Sequence, residues 1–121
     1  MLFVVGTAAE IEPFGHWLGD AALLARLQQV DYRTTVVVAA FAGPRPSTGY
    51  AITIQAGAWQ GDEVRLTAVE TAPAPGQAVL EVITYPFHLV AIPREVLPTQ
   101  PLRWRLLDPV GQVLAETCWP G

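Results

Sequence analysis

The fold of this chain is decided within residues 34–50, where the sequence is TTVVVAAFAGPRPSTGY. Residues 34–41 are apolar or β-branched throughout, a pattern typical of a central strand that is covered on both faces. Residues 43–49 form a polar loop that contains two prolines, and residues 50–55 alternate as a half-buried strand does. We therefore expect the other strands to lie beside this pair.

The rest of the chain predicts further strands. Strand patterns occur at residues 2–6, 63–68, 79–84 and 87–92, and residues 102–118 are expected to form a C-terminal β-hairpin. Residues 57–62 are expected to be a turn centred on Trp59 and Gly61. The Tyr85–Pro86 bond is a candidate for the cis form, because proline reduces the preference for trans.

One helix is predicted. Residues 17–30 have apolar side chains on one helical face, and Asp20 can cap the first turn by accepting amide hydrogens. The length fits a single domain over residues 1–121. The predicted fold class is mainly β (α+β at most): an antiparallel β-sandwich or partly open barrel with the N-terminal helix packed against it, where the helix covers one face of the central strand.

Composition excludes several classes of function. All seven cationic residues are arginines scattered along a chain of net charge −4, so no basic stripe is available for nucleic acid. The single cysteine, Cys118, rules out an intramolecular disulfide and a cysteine-based metal site, and no cofactor is expected. Charged residues make up only 15% of the chain, which leaves apolar surface for a partner protein or for a homo-oligomer.

The chain is expected to be soluble. No apolar run approaches the ~20 residues that a membrane-spanning helix needs. The apolar run at residues 1–6 is too short for an export signal, and no basic residue precedes it. As given, the sequence is expected to be cytoplasmic, and it would be extracytoplasmic if an export signal had been removed before Met1.

No residue set predicts catalysis, so the chain is expected not to be an enzyme. Ser47 and Thr48 lack a neighbouring base in the sequence, and their hydroxyls are expected to satisfy amides of the turn. Asp31, Glu70 and Glu81 have no spacing that would fix a carboxylate pair. His88 is expected to form a hydrogen bond near a turn, on the face opposite Phe87 and Leu89.

A binding role for the 43–50 loop has a physical basis. Two prolines pre-order the loop, which lowers the entropy lost on binding, and Gly49 is expected to supply a positive φ. Tyr50 could be an exposed anchor or a core residue. Trp104 is expected in the core, Trp119 is an anchor if exposed, and Cys118 is expected to be a small buried residue. The candidate partner-binding residues are Arg45, Ser47, Thr48, Tyr50 and the turn residue Trp59.

Three motifs in order resemble the C-terminal domain of the protease-complex subunit PrcB family. They lie within residues 31–52, at residues 70–76 (ETAPAPG) and at residues 84–93 (TYPFHLVAIP), so the likeness covers residues 31–94. Gln77 departs from the family, whose members often have a cysteine there. The resemblance implies a protein-binding accessory role beside a subtilisin-like protease, in its assembly or stability, and no proteolysis by this chain.

A second likeness is confined to the loop. Residues 45–50 are similar to a loop of the chagasin-type inhibitors of papain-like peptidases, although the first and third positions differ and the companion Arg-Pro-Trp loop has no match. This likeness implies peptidase inhibition as an alternative function. A third hypothesis is a small-molecule-binding domain with a pocket between the helix and the sheet.

Overall fold

A computed structural model of the chain describes residues 1–12, 19–98 and 100–120, which contain seven strands and one complete α-helix. The elements are β1 (Leu2–Val5), α1 (Ala21–Gln28), β2 (Thr35–Phe41), β3 (Ala51–Gln60), β4 (Glu63–Thr71), β5 (Phe87–Pro93), β6 (Leu102–Leu107) and β7 (Val113–Trp119). Short 3-10 helices occur at Ala8–Glu10 and Arg94–Val96.

The strands form two sheets, and the predicted mainly β fold with one helix is confirmed. The three-stranded sheet has the order β1-β2-β5, and the four-stranded sheet has the order β3-β4-β6-β7. The sheets do not close into a barrel within the described residues. One detail differs from the antiparallel arrangement that was predicted, since β4 and β6 are parallel. The intervening β5 lies in the other sheet, and such a crossover lets the chain return in the same direction.

The central strand β2 is buried on both faces, as its sequence predicts. Val36, Val38 and Ala40 face the four-stranded sheet, where they share a core with Trp104 and Leu66. Trp104 is fully buried, as predicted. The architecture is therefore two packed sheets, with the three-stranded sheet in the middle and the helix beyond it.

The helix covers the opposite face of β2. Leu27 packs with Val37 and Ala39 in a second buried cluster. The predicted cap is confirmed, because the amide of Leu23 donates to Asp20 Oδ1 at 3.0 Å. The helix begins at Ala21, and the part of the prediction at residues 17 and 18 lies outside the described residues.

Two local predictions were wrong. Residues 57–60 are the end of β3, and the turn is only Gly61–Asp62, where Gly61 has a φ of 61°. A two-residue turn whose glycine adopts positive φ lets both strands continue almost to its tip. Residues 79–84 form no strand, and their only ladder contact in the described chain is a single bridge between Thr84 and Arg45. All described peptide bonds are trans, including the one between Tyr85 and Pro86.

The predicted C-terminal pair of strands is confirmed by the antiparallel β6 and β7, but the expectation that Cys118 is buried was wrong. Trp119 is buried and lies edge-on to Trp104 with ring centroids 6.4 Å apart. The Arg94 guanidinium lies 5.3 Å from the Trp119 ring centroid. Because neighbouring residues of a strand face opposite sides, Cys118 is exposed. No helix in the described residues is long and apolar enough to cross a membrane.

Candidate functional site

The 43–50 loop is bonded to residues 80–84. Arg45 and Thr84 exchange two backbone hydrogen bonds of 2.8 and 2.9 Å. The amide of Thr48 donates to the carbonyl of Leu80 at 3.0 Å, and the amide of Leu80 donates to Thr48 Oγ1 at 2.9 Å. Thr84 Oγ1 donates to the carbonyl of Ser47 at 2.8 Å. These bonds use the backbone groups that a strand at residues 79–84 would have needed, which explains why that strand does not form.

The side chain of Arg45 is directed into this structure. Its Nε and Nη2 donate to the two carboxylate oxygens of Glu70, with Nη2 2.7 Å from Oε2, and Nη1 donates to the carbonyl of Pro44 at 2.9 Å. The hydrogen bonds from Arg45 lower the pKa of Glu70, and those to Glu70 raise the pKa of Arg45. A bidentate pair of this kind fixes orientation as well as charge. Arg45 therefore joins the loop to the end of β4.

Gly49 brings the segment after β4 against the loop. Its φ is 93°, which confirms the predicted positive φ. A Cβ at this position would lie 2.8 Å from Cγ of Pro73. Gln77, at the position where family members often have a cysteine, accepts a hydrogen bond from the amide of Ala74 at 3.0 Å. The three sequence motifs therefore meet at one end of the sandwich.

Both loop hydroxyls form hydrogen bonds with backbone groups. Ser47 is only 9% exposed, and its Oγ donates to the carbonyl of Thr48 at 3.0 Å. Thr48 Oγ1 accepts from the amide of Leu80, which lies outside the loop, so the two hydroxyls do not satisfy amides of the turn as the sequence predicted. Tyr50 is half-buried. Three of the candidate residues, Arg45, Ser47 and Thr48, thus hold the loop in shape.

The side chains that project from this end of the molecule belong to residues 80–85. Four large side chains are exposed by 69%, 52%, 66% and 64%, and we call them the apolar loop surface: Leu80, Val82, Ile83 and Tyr85. This surface was not predicted, because residues 79–84 were assigned to a strand in which alternate residues would be buried. A signal in the sequence was the adjacent apolar pair Val82 and Ile83, because neighbouring residues of a strand face opposite sides and a strand with one buried face would leave one of them exposed.

Trp59 is exposed as predicted, but it is remote from the loop. The ring is 52% exposed, and Nε1 donates to the carbonyl of Gly61 at 2.7 Å. Trp59 is near the end of β3 whereas the loop precedes its first residue, Ala51, so at about 3.3 Å per residue the two are roughly 25 Å apart. The five candidate residues do not form one surface.

Trp59 instead lines an open groove of about 490 Å³ between the edges of β3 and β5. Val64 and Leu66 of β4 line it together with Val90 and Ile92 of β5. The two edges are joined at one end, where the amide of Ile54 donates to His88 Nδ1 at 2.9 Å. The register shift after Ile54 lies next to this contact, and it bends β3 where the groove begins.

His88 is the second residue of β5, where it follows the irregular segment that ends at Pro86 and pairs with Ala40. The predicted face is confirmed, since Phe87 and Leu89 pack in the helix-side cluster and His88 lies opposite them. A second cavity of about 390 Å³, between helix and sheet, is lined by Arg26 and apolar residues of the helix and by residues 87–91 of β5. No acidic side chain lines the described part of that cavity.

The carboxylates singled out from the sequence are not brought together. Asp31 pairs with Arg33, with Asp31 Oδ1 3.0 Å from the Arg33 Nε, and Glu70 pairs with Arg45. The hydrogen bonds from Arg33 lower the pKa of Asp31. Across the described ranges, no group of three His, Cys, Asp or Glu side chains could hold a metal ion.

One family model matches part of this chain. No curated protein and no solved structure shows significant similarity to this chain. The family model described as PrcB C-terminal matches residues 36–93, from β2 to the end of β5. The span includes the loop, Glu70, Gly49 and the apolar loop surface, whereas β1, α1, β6 and β7 lie outside it. This match confirms the resemblance seen in the sequence: residues 36–93 are similar to the PrcB C-terminal family.

Proposed function

We propose that this chain is a non-enzymatic protein-interaction domain, which binds a partner protein through the apolar loop surface. One observation carries the proposal: four large side chains are more than half exposed within six residues whose backbone is held by the 43–50 loop. Exposed apolar surface of this kind marks protein contacts. Burying one such side chain completely contributes about 1.5–3 kcal/mol.

The backbone beneath these side chains is already ordered. Hydrogen bonds at Leu80 and Thr84 fix both ends of the segment against the loop. A pre-ordered segment loses less conformational entropy when it binds, so more of the apolar contact appears as affinity. In this proposal Arg45, Ser47 and Thr48 act by positioning residues 80–85, and the exposed side chains make the contact.

The family resemblance supports a protease as the partner. It implies an accessory subunit beside a subtilisin-like protease, which acts in assembly or stability. The net charge of −4 and the scattered arginines favour a protein partner over nucleic acid.

Binding to the subtilisin-like protease of the same organism tests the proposal. The wild-type chain should retain the protease in a pull-down, and the double variant Leu80→Ser, Ile83→Ser should lose it. Val110→Ser is the matched control, because Val110 is 88% exposed in a turn elsewhere. A melting temperature close to wild type shows that the variants fold. Equal retention by the double variant and the wild type would contradict the proposal.

Peptidase inhibition is the second candidate. The observation that favours it is the fixation of the 43–50 loop on both sides, by Glu70 and by residues 80–84, because an inhibitory loop has to remain rigid in a protease cleft. Titration against a papain-like and a subtilisin-like peptidase distinguishes the two functions. Binding without loss of peptidase activity supports an accessory domain, and stoichiometric loss of activity supports an inhibitor.

A further inference from the structure

The far half of β3 is an unprotected sheet edge. Residues 55–60 are all exposed, and β3 pairs only with β4 in the described chain. The ten residues of β3 include no charged residue and no proline. An edge strand with these properties offers unpaired amides and carbonyls to another strand, and soluble proteins normally prevent such pairing.

The other three sheet edges carry the usual protection. Strand β1 has only four residues, β5 ends at Pro93, and β7 carries Glu116. Short length, proline and charge each discourage pairing between chains. The bulge of β3 lies before residue 56, and from Ala56 to Gln60 the strand pairs regularly with β4. The free edge at residues 56–60 is therefore both regular and unprotected.

We propose that this edge pairs with the same edge of a second copy of the chain, in an antiparallel two-fold dimer. Each copy has a net charge of −4, so two copies repel each other least where neither surface is charged. A two-fold contact places the same strand opposite itself, and an uncharged strand then faces an uncharged strand. The dimer would join the two four-stranded sheets into one.

The inner face of β3 specifies a register. Trp59 and Gly57 pair with the buried residues Val64 and Leu66, so both positions face the interior side of the sheet. Gly57 has no side chain, and the groove of about 490 Å³ is open beside it. A two-fold axis at Ala58 places Trp59 of each copy directly opposite Gly57 of the other. The exposed ring of one copy then fills the groove of the second copy, as an aromatic anchor does in a pocket.

Sedimentation velocity of the whole chain, from about 1 to about 200 µM, tests the association, because a dimer must form with rising concentration. Ala58→Glu and Ala58→Lys should both abolish the dimer, since either charge would face itself at the axis. The two variants change the net charge in opposite directions. If overall charge decided the result, they would therefore have opposite effects on dimer formation. Val110→Glu and Val110→Lys are the controls and should leave the dimer intact.

A cross-link tests the register without relying on a charge variant. In a Cys118→Ser background, Ala58→Cys should form a disulfide-linked dimer on oxidation, because directly opposed residues have Cβ atoms about 4.5–5.5 Å apart. Ala56→Cys should not, because Ala56 then lies opposite Gln60 of the second copy. A monomer at every concentration, or a dimer that both charge variants leave intact, overturns the proposal. A dimer in which Ala58→Cys forms no link overturns the register. The contact is remote from the apolar loop surface, so either outcome leaves the proposed function unaffected.

Discussion

Arg45 and Glu70, 25 residues apart in the sequence, form a bidentate ion pair that connects the loop after β2 to the end of β4. The two side chains are 26% and 35% exposed, so solvent screens their interaction in part. A partly exposed pair of this kind stabilises a fold by about 0.2–1 kcal/mol. The ion pair contributes little free energy, but it fixes the loop that supports residues 80–85.

Glu70→Gln should lower the free energy of unfolding at pH 7 by about 0.2–1 kcal/mol. The pKa of Glu70 in the fold is lowered from its ordinary value of 4.5, mainly by its hydrogen bonds with Arg45. A carboxyl group of this kind stabilises the fold above its ordinary pKa, and that contribution is lost as pH falls through the lowered pKa. The difference between variant and wild type should therefore shrink below pH 4.5 and disappear at lower pH. Urea denaturation across this range measures it.

Glu81→Gln is the control for that experiment. Glu81 is exposed and takes part in none of the ion pairs found in the described residues. Its variant should show no comparable pH-dependent difference. A difference for Glu70→Gln that persists unchanged into acid would mean that the ion pair does not stabilise the loop.

Gly49→Ala should destabilise the chain more than Gly76→Ala. Both glycines have positive φ, at 93° and 82°, and alanine in that region costs about 1–2 kcal/mol. A Cβ at position 49 would in addition lie 2.8 Å from Pro73, whereas a Cβ at position 76 would meet nothing within 4 Å. Thermal unfolding of both variants separates the backbone cost from the contact. Equal losses at the two positions would show that the segment holding Pro73 moves aside freely.

His88→Ala should weaken the contact between β3 and β5, where the edges of the two sheets meet. The variant leaves the amide of Ile54 without its acceptor, and an unsatisfied part-buried donor costs about 1–3 kcal/mol. His88→Asn is the matched variant, because the asparagine Oδ1 can occupy the place of the imidazole Nδ1. Hydrogen exchange at the Ile54 amide should accelerate in the alanine variant and stay close to wild type in the asparagine variant. Rapid exchange of the Ile54 amide in the wild type would contradict its hydrogen bond to His88.

The parts of the fold that depend on local pattern were predictable from the sequence. The continuous apolar run of β2 predicted a strand covered on both faces, and Asp20 predicted the start of the helix. The parallel pairing of β4 with β6 was not predictable, because it depends on which sheet receives β5. The order of the strands in the sequence does not show which of the two sheets contains β5.

The sequence indicated the 43–50 loop but not the roles that its residues have in the structure. Arg45 and Thr48 looked like contact residues, yet their partners, Glu70 and Leu80, are distant in the sequence. Those long-range bonds also removed residues 79–84 from strand geometry and exposed their side chains. No local pattern contains such information, because the same apolar run is also typical of a strand.

Thr84→Val should weaken partner binding although no exposed side chain is changed. The hydroxyl of Thr84 donates to the carbonyl of Ser47 at 2.8 Å, and losing such a bond costs about 0.5–1.5 kcal/mol. Hydrogen exchange at the amides of Arg45 and Thr84 should accelerate, because their two backbone bonds lose support. Affinity for the partner should fall with it, since a mobile segment loses more entropy on binding. Thr84→Ser keeps the hydroxyl and should preserve both properties. Faster exchange with unchanged affinity would mean that the order of the loop does not contribute to binding.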